Sequence, residues 1–73
     1  MTINAKTELK RSLTIAGHRT SLSLEPEFWE ALKKVAGEDK KSLASLVSEI
    51  DASRDGRNLS SAIRVWVLGR MQK

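Results

Sequence analysis

Three polar side chains, Arg19, Ser21 and Ser23, have the clearest capacity for chemistry in this chain. An arginine can donate two hydrogen bonds to guanine O6 and N7, and a serine hydroxyl can donate or accept at several bases. They alternate with less polar neighbours, and in a strand every second side chain lies on the same face. Residues 19–24 therefore predict a strand that turns these three outward and buries the other three, Thr20, Leu22 and Leu24.

Catalytic chemistry has little support in the sequence. His18 is the only histidine, and it has no cysteine to act with. A glycine-rich phosphate loop is also missing, and most of the acids fall on the exposed face of the first predicted helix. We predict no catalytic residue, no metal and no cofactor, and we assign His18 to a phosphate contact at the start of the strand.

The predicted strand needs a partner, because a lone strand leaves its backbone groups unpaired. Pro26 ends it and suits the first turn of a helix. Upstream, Leu13 and Ile15 also alternate with polar residues, but in an unbroken strand they would lie on the opposite face from the apolar residues of the predicted strand. Ala16 and Gly17 must therefore form a bulge or a tight hairpin turn. Ala-Gly is a weak two-residue turn. We therefore favour one strand per chain, paired with the strand of a second copy, over a hairpin.

The size of the chain also favours a homodimer. A domain of 73 residues buries only about 60% of the surface that its unfolded chain exposes. Disulfides cannot supply the missing stability, because the sequence has no cysteine. Oligomerisation is the remaining way to bury more apolar surface. The sequence has no long apolar run and no signal-peptide core, so we expect a cytoplasmic protein without a membrane partner.

Three amphipathic helices are predicted after the strand. Residues 1–10 show no usable period and are expected to be a flexible basic arm, so the folded domain covers residues 11–73. The helices run from Pro26 to Gly37, from an N-cap at Ser42 to about Ser53, and from an N-cap at Asn58 to Met71.

Each helix carries an apolar stripe at helical spacing. The third helix is apolar over so much of its surface that it is predicted to contact a second subunit or another protein. The residues assigned to the core or the dimer interface, besides those of the strand, are Phe28, Leu32, Leu46, Val47, Ile50 and Trp66.

Positive charge gathers around the strand rather than on the first helix. Residues 1–24 carry four basic side chains and one acid, whereas residues 25–39 carry five acids and two lysines. This distribution suits a polyanion that approaches from the strand side. The N–H groups at a helix start bind phosphate oxygens. Ser42, preceded by Lys40 and Lys41, is the leading candidate, and Asn58, preceded by Arg57, is the second.

The segment RTSLSL, followed by a helix that opens with Pro26-Glu27-Phe28 and a second helix at Ser42, resembles the ribbon-helix-helix family of MetJ/Arc-type DNA-binding proteins. More narrowly, RSLTIAGHRTSLSLEPEFWEAL and NLSSAIRVWVLGRM are similar to a small bacterial subfamily. Residues 58–64 also resemble the family's second helix. The spacing of 18 residues from Leu24 favours Ser42, which makes the third helix an addition.

The resemblance implies a mainly α, intertwined homodimer whose two strands form an antiparallel ribbon in the major groove of double-stranded DNA. By position, Arg19, Ser21 and Ser23 would contact bases and Ser42 a phosphate. We expect a sequence-specific transcriptional repressor, with higher-order assembly on DNA left open. The alternative is a dimeric adaptor or antitoxin-like module that binds another protein through its third helix.

Overall fold

The computed structural model describes residues 8–72, in which a two-stranded ribbon is followed by three helices. Residues 1–7 of the predicted arm lie outside this range, whereas Leu9 and Lys10 already belong to the first strand. None of the helices within residues 8–72 is long and apolar enough to cross a membrane. The elements are β1 (Leu9–Ile15), β2 (His18–Leu24), α1 (Pro26–Glu38), α2 (Leu43–Ala52) and α3 (Leu59–Met71).

The two strands belong to one chain and pair antiparallel as a hairpin. The register runs from Ile15 opposite His18, beside the turn, to Leu9 opposite Leu24 at the far end. The prediction of a single strand per chain is therefore wrong, and the hairpin alternative is the one found. The Ala-Gly turn is used because the pairing of seven residues on each strand offsets the conformational cost of the turn.

The turn also resolves the opposite parity of the two alternating segments. Ala16 has φ 52° and Gly17 has φ 83°, the positive values that a type I′ hairpin turn requires at both central positions. Residues directly opposite each other in an antiparallel pair lie on the same face. The reversal therefore brings Ile15 to the same face as Leu22 and Leu24, and all three are buried.

Trp29 of α1 fastens β1 to the helices. Its indole Nε1 donates a hydrogen bond to the carbonyl oxygen of Leu9 at 3.0 Å. On the same strand, the guanidinium of Arg11 lies 5.3 Å from the centroid of the Trp29 ring, within cation–π range. Because Trp29 is only 1% exposed, it fills the core and at the same time satisfies a backbone acceptor of the ribbon.

The three helices confirm the predicted helix starts. Pro26 occupies the first turn of α1. The Ser42 hydroxyl accepts a hydrogen bond from the Ser45 N–H at 3.0 Å, and the Asn58 amide oxygen accepts one from the Ser61 N–H at 2.9 Å. These contacts satisfy backbone donors that a helix leaves free at its start.

All five elements contribute to one core. Thr20 is half-buried, and Phe28 and Trp66 pack against the core from positions of partial exposure. The buried apolar residues are Ile15, Leu22, Leu24, Trp29, Leu32, Val35, Ala36, Leu46, Val47, Ile50, Ala62, Ile63 and Val67.

Two arginines of α3 tie it to both ends of α1. Arg64 Nε donates to Glu25 Oε1 at 2.9 Å, and Arg70 Nη2 donates to Asp39 Oδ1 at 2.8 Å. The pKa of Glu25 is lowered chiefly by a hydrogen bond from its own backbone N–H, and secondly by the bond from Arg64. The hydrogen bond from Arg70 lowers the pKa of Asp39. Both carboxylates therefore bind protons less readily in the folded chain than in the unfolded chain.

We expect acid to weaken the fold through these two groups. A carboxyl group whose pKa is lowered by folding stabilises the fold fully when the pH is above its ordinary pKa. That stabilisation is lost as the pH falls through the pKa of the folded state. The free energy of unfolding should therefore decline below the ordinary values of 4.5 for Glu25 and 3.8 for Asp39. Urea unfolding at a series of pH values should show a shallower decline for the Arg64→Gln/Arg70→Gln variant. Parallel curves for the two proteins would contradict the assignment.

The hairpin turn provides a second prediction. Asparagine adopts positive φ more readily than alanine, so Ala16→Asn should raise the free energy of unfolding by up to about 1 kcal/mol. Gly17→Ala should lower it by about 1 kcal/mol, because the new Cβ is strained at the φ of 83°. Urea denaturation measures both changes, and equal stabilities for the two variants would show that the turn does not form.

Candidate nucleic-acid interface

The ribbon has an outward face that is polar along its whole length. The register places three pairs on the face opposite the buried one, and five of these six residues are exposed, with Ser23 half-buried. The face carries two cations and four hydroxyls, with no carboxylate among the six. The pairs are Lys10 with Ser23, Ser12 with Ser21, and Thr14 with Arg19.

The dimensions of this face suit the major groove of B-DNA. Two strands lie about 4.8 Å apart, and the groove is about 12 Å wide, so a two-stranded ribbon enters it with its side chains. Alternate residues on a strand are about 6.7 Å apart, close to two steps of 3.4 Å along the DNA. The spacing of successive outward side chains therefore matches about two base-pair steps.

A comparison with protein families decides the class of protein. A family model described as a ribbon-helix-helix domain matches residues 8–71. The chain belongs to the ribbon-helix-helix family. Searches of curated proteins and of solved structures find no match. Ribbon-helix-helix proteins are in general DNA-binding regulators, and the match ends at the last residue of α3, so the third helix lies within the matched domain.

The predicted base-contacting residues of this ribbon-helix-helix chain lie together. Arg19, Ser21 and Ser23 follow one another along the outward face of β2. His18 is opposite Ile15 and so lies on the helix-facing side, at the turn end of the ribbon. There it lines a pocket of about 210 Å³ with Arg54.

The other predicted phosphate contacts lie at the turn between α1 and α2. Lys41 Nζ is 2.6 Å from Glu49 Oε2, so its charge is engaged with α2. Lys40 is exposed and has a φ of 57°. Ser42 uses its hydroxyl to cap α2, whose first N–H groups begin beside it.

The start of α3 lies against β2. Ser60 Oγ donates a hydrogen bond to the Ser23 carbonyl oxygen at 3.2 Å. A pocket of about 420 Å³ beside it is lined by Ser21, Ser23, Asn58 and Arg64, among others. Of the two helix starts considered from the sequence, Asn58 is therefore the one that shares a pocket with residues of the ribbon.

Half of the outward face was missed from the sequence. Lys10, Ser12 and Thr14 of β1 lie opposite the three predicted residues of β2. The signal was present in the alternation of β1, but assigning these residues required the hairpin over Ala16 and Gly17 to be preferred to a bulge.

Proposed function

We propose that this protein is a sequence-specific DNA-binding protein that represses transcription by occluding a promoter. The observation that carries the proposal is the exposed outward face of the ribbon, which presents two cations and four hydroxyls and belongs to a ribbon-helix-helix domain. Cations attract the phosphate backbone, while arginine and hydroxyl groups can discriminate between base edges.

In this proposal base recognition and backbone binding are separate tasks. Arg19 donates two hydrogen bonds to a guanine, a contact that discriminates by about 1–3 kcal/mol, and Ser21 and Ser23 bond to neighbouring bases. The α2 start at Ser42, with Lys40 and Lys41, holds a phosphate and fixes the register of the ribbon without reading sequence. His18 is assigned to a further phosphate at the turn end of the ribbon.

The proposed repressor acts as a homodimer, with further assembly on DNA open to it. Support comes from α3, on which Val65, Leu68 and Met71 are 48%, 58% and 51% exposed. These side chains recur every third residue along one side of the helix and give a second copy an apolar surface to cover. Two copies bound side by side would block more of a promoter than one.

The same α3 surface supports a second candidate function. Pockets of about 270 and 310 Å³ adjoin it, and Val65 and Trp66 line both. A dimeric adaptor or antitoxin-like module would use this surface to bind another protein. The two functions differ in a simple assay, because an adaptor without a DNA-binding ribbon should not be retained on random duplex DNA at low salt.

Arg19→Ala should weaken specific binding strongly while leaving the fold intact. Loss of a bidentate base contact should weaken binding to a duplex selected from a random pool by about 10- to 100-fold. Fluorescence anisotropy measures the affinity, and urea unfolding checks the fold. Lys34→Ala is the matched control, because it removes one exposed positive charge from α1. Equal affinities of Arg19→Ala and the wild type would exclude the groove contact.

The Lys40→Ala/Lys41→Ala variant should weaken binding to selected and random duplexes alike. Each lost phosphate contact should reduce the slope of log K against log salt by about 0.9, so the pair should reduce it by up to about 1.8. Lys33→Ala/Lys34→Ala removes the same charge from α1 as a control. An unchanged slope for the first variant would place these lysines away from the DNA backbone.

A further inference from the structure

We propose that the pocket shared by His18 and Arg54 binds a small carboxylate, and that its occupation weakens DNA binding. The pocket lies on the helix-facing side of the ribbon, where His18 and Thr20 of β2 meet Arg54, which follows α2. The effect on DNA rests on the proposed DNA-binding function. The carboxylate site does not, because none of the residues assigned to bases lines this pocket.

The register of the hairpin places two polar side chains of β2 beside this pocket. His18 is opposite Ile15, and Thr20 follows two positions along the strand, so both lie on the face that carries the buried Ile15. Arg19 and Ser21 alternate with them on the outward face. A ligand in the pocket is therefore separated from the base-contacting side chains by one strand.

The guanidinium of Arg54 is held in place before a ligand arrives. Its Nε lies 3.0 Å from Asp51 Oδ1, and its Nη1 donates a hydrogen bond to the carbonyl oxygen of Arg57 at 3.2 Å. Within residues 8–72, these contacts leave Nη2 to donate to a ligand. A group that is already fixed loses less conformational freedom on binding, and a guanidinium matches the geometry of a carboxylate.

The charges around the pocket allow an anion to enter. Among the residues of 8–72 that line it, Asp51 is the only acid, and its ion pair with Arg54 offsets its charge. An anion therefore meets a neutral ion pair together with two further donors, which are the hydroxyl of Thr20 and a ring N–H of His18. Together with Arg54, these groups can supply three hydrogen bonds to the two oxygens of a carboxylate.

The size and the apolar walls of the pocket define the rest of the ligand. Its volume is about 210 Å³, below the range of about 300–1,000 Å³ for pockets that hold drug-sized ligands. By comparison, a cavity of about 150 Å³ holds benzene, so about eight non-hydrogen atoms fit here. Ile15, Ala16 and Leu59 supply the apolar contacts. The ligand class is therefore a carboxylate on a short hydrocarbon chain or a small ring.

Occupation of the pocket should weaken DNA binding because of its position and its charge. The pocket lies at the turn end of the ribbon, where His18 is assigned to a DNA phosphate. A bound carboxylate takes the donor of His18 and adds a negative charge beside it, and like charges a few ångströms apart repel each other. The coupling between two linked sites is typically about 5- to 150-fold in affinity, so we expect DNA affinity to fall by at least about fivefold.

The first test measures ligand binding without DNA. His18 is the only histidine, so its ring resonances in an NMR spectrum report on the pocket without ambiguity. Butyrate should shift them saturably at constant ionic strength, and inorganic phosphate, which has no apolar body, should bind more weakly. Arg54→Gln should abolish the saturable shift. Arg57→Gln is the matched control, because it removes a charge from the same loop and keeps the backbone carbonyl that holds Arg54.

The second test measures DNA affinity by fluorescence anisotropy on a duplex selected from a random pool. Saturating butyrate should weaken the binding of the wild type and of Arg57→Gln by at least about fivefold, compared with chloride at the same ionic strength. Arg54→Gln should bind DNA as the wild type does without butyrate, and butyrate should leave its affinity unchanged. The comparison with chloride separates occupation of the pocket from general screening by salt.

The outcomes separate this inference from the proposed function. No saturable shift, or the same shift in Arg54→Gln, would overturn the carboxylate site and leave DNA binding in place. A reduced salt dependence of DNA binding in Arg54→Gln without butyrate would identify a DNA phosphate as the occupant and overturn the inference. A saturable shift without a change in DNA affinity would overturn the regulatory effect. A wild type that binds no duplex would overturn the proposed function, while the shift would still support the site.

Discussion

Two successive residues with positive φ, Ala16 and Gly17, impose the constraint on which the rest of the structure depends. They reverse the chain within two residues, and the reversal sets which side chains share a face. Ile15, Leu22 and Leu24 then cover one side of the core. The outward cations and hydroxyls of both strands are exposed, except for the half-buried Ser23. A bulge at the same place would have sent β1 away from β2 and left both strands unpaired.

The helices hold the ribbon through contacts to both of its strands. Trp29 joins α1 to the far end of β1, and Ser60 joins the start of α3 to the end of β2. At the junction of β2 and α1, Arg64 binds Glu25 and lies 5.9 Å from the Phe28 ring centroid. The ribbon is therefore attached at both of its strands through backbone carbonyls, and no outward side chain makes either of these bonds.

The helices could be predicted from the sequence because their signals are local. Pro26, Ser42 and Asn58 mark the helix starts, and the alternation of residues 19–24 predicted β2. The hairpin could not be decided, because the weak Ala-Gly turn is offset by pairing that only the folded ribbon reveals. The three outward residues of β1 were therefore not predicted either. The bond from Ser60 to Ser23 joins residues 37 apart in the chain, a separation at which no sequence period gives a signal.

The register of the ribbon has a consequence for how such a protein can change over generations. None of the six outward residues of β1 and β2 belongs to the apolar core, and the indole N–H of Trp29 bonds to the carbonyl of Leu9 rather than to any of them. If these positions contact DNA as proposed, a substitution there would alter which sequence is recognised at little cost to the free energy of unfolding, since surface changes usually fall within about 0.5 kcal/mol. Duplicated copies of the chain can therefore diverge in target while their architecture stays the same.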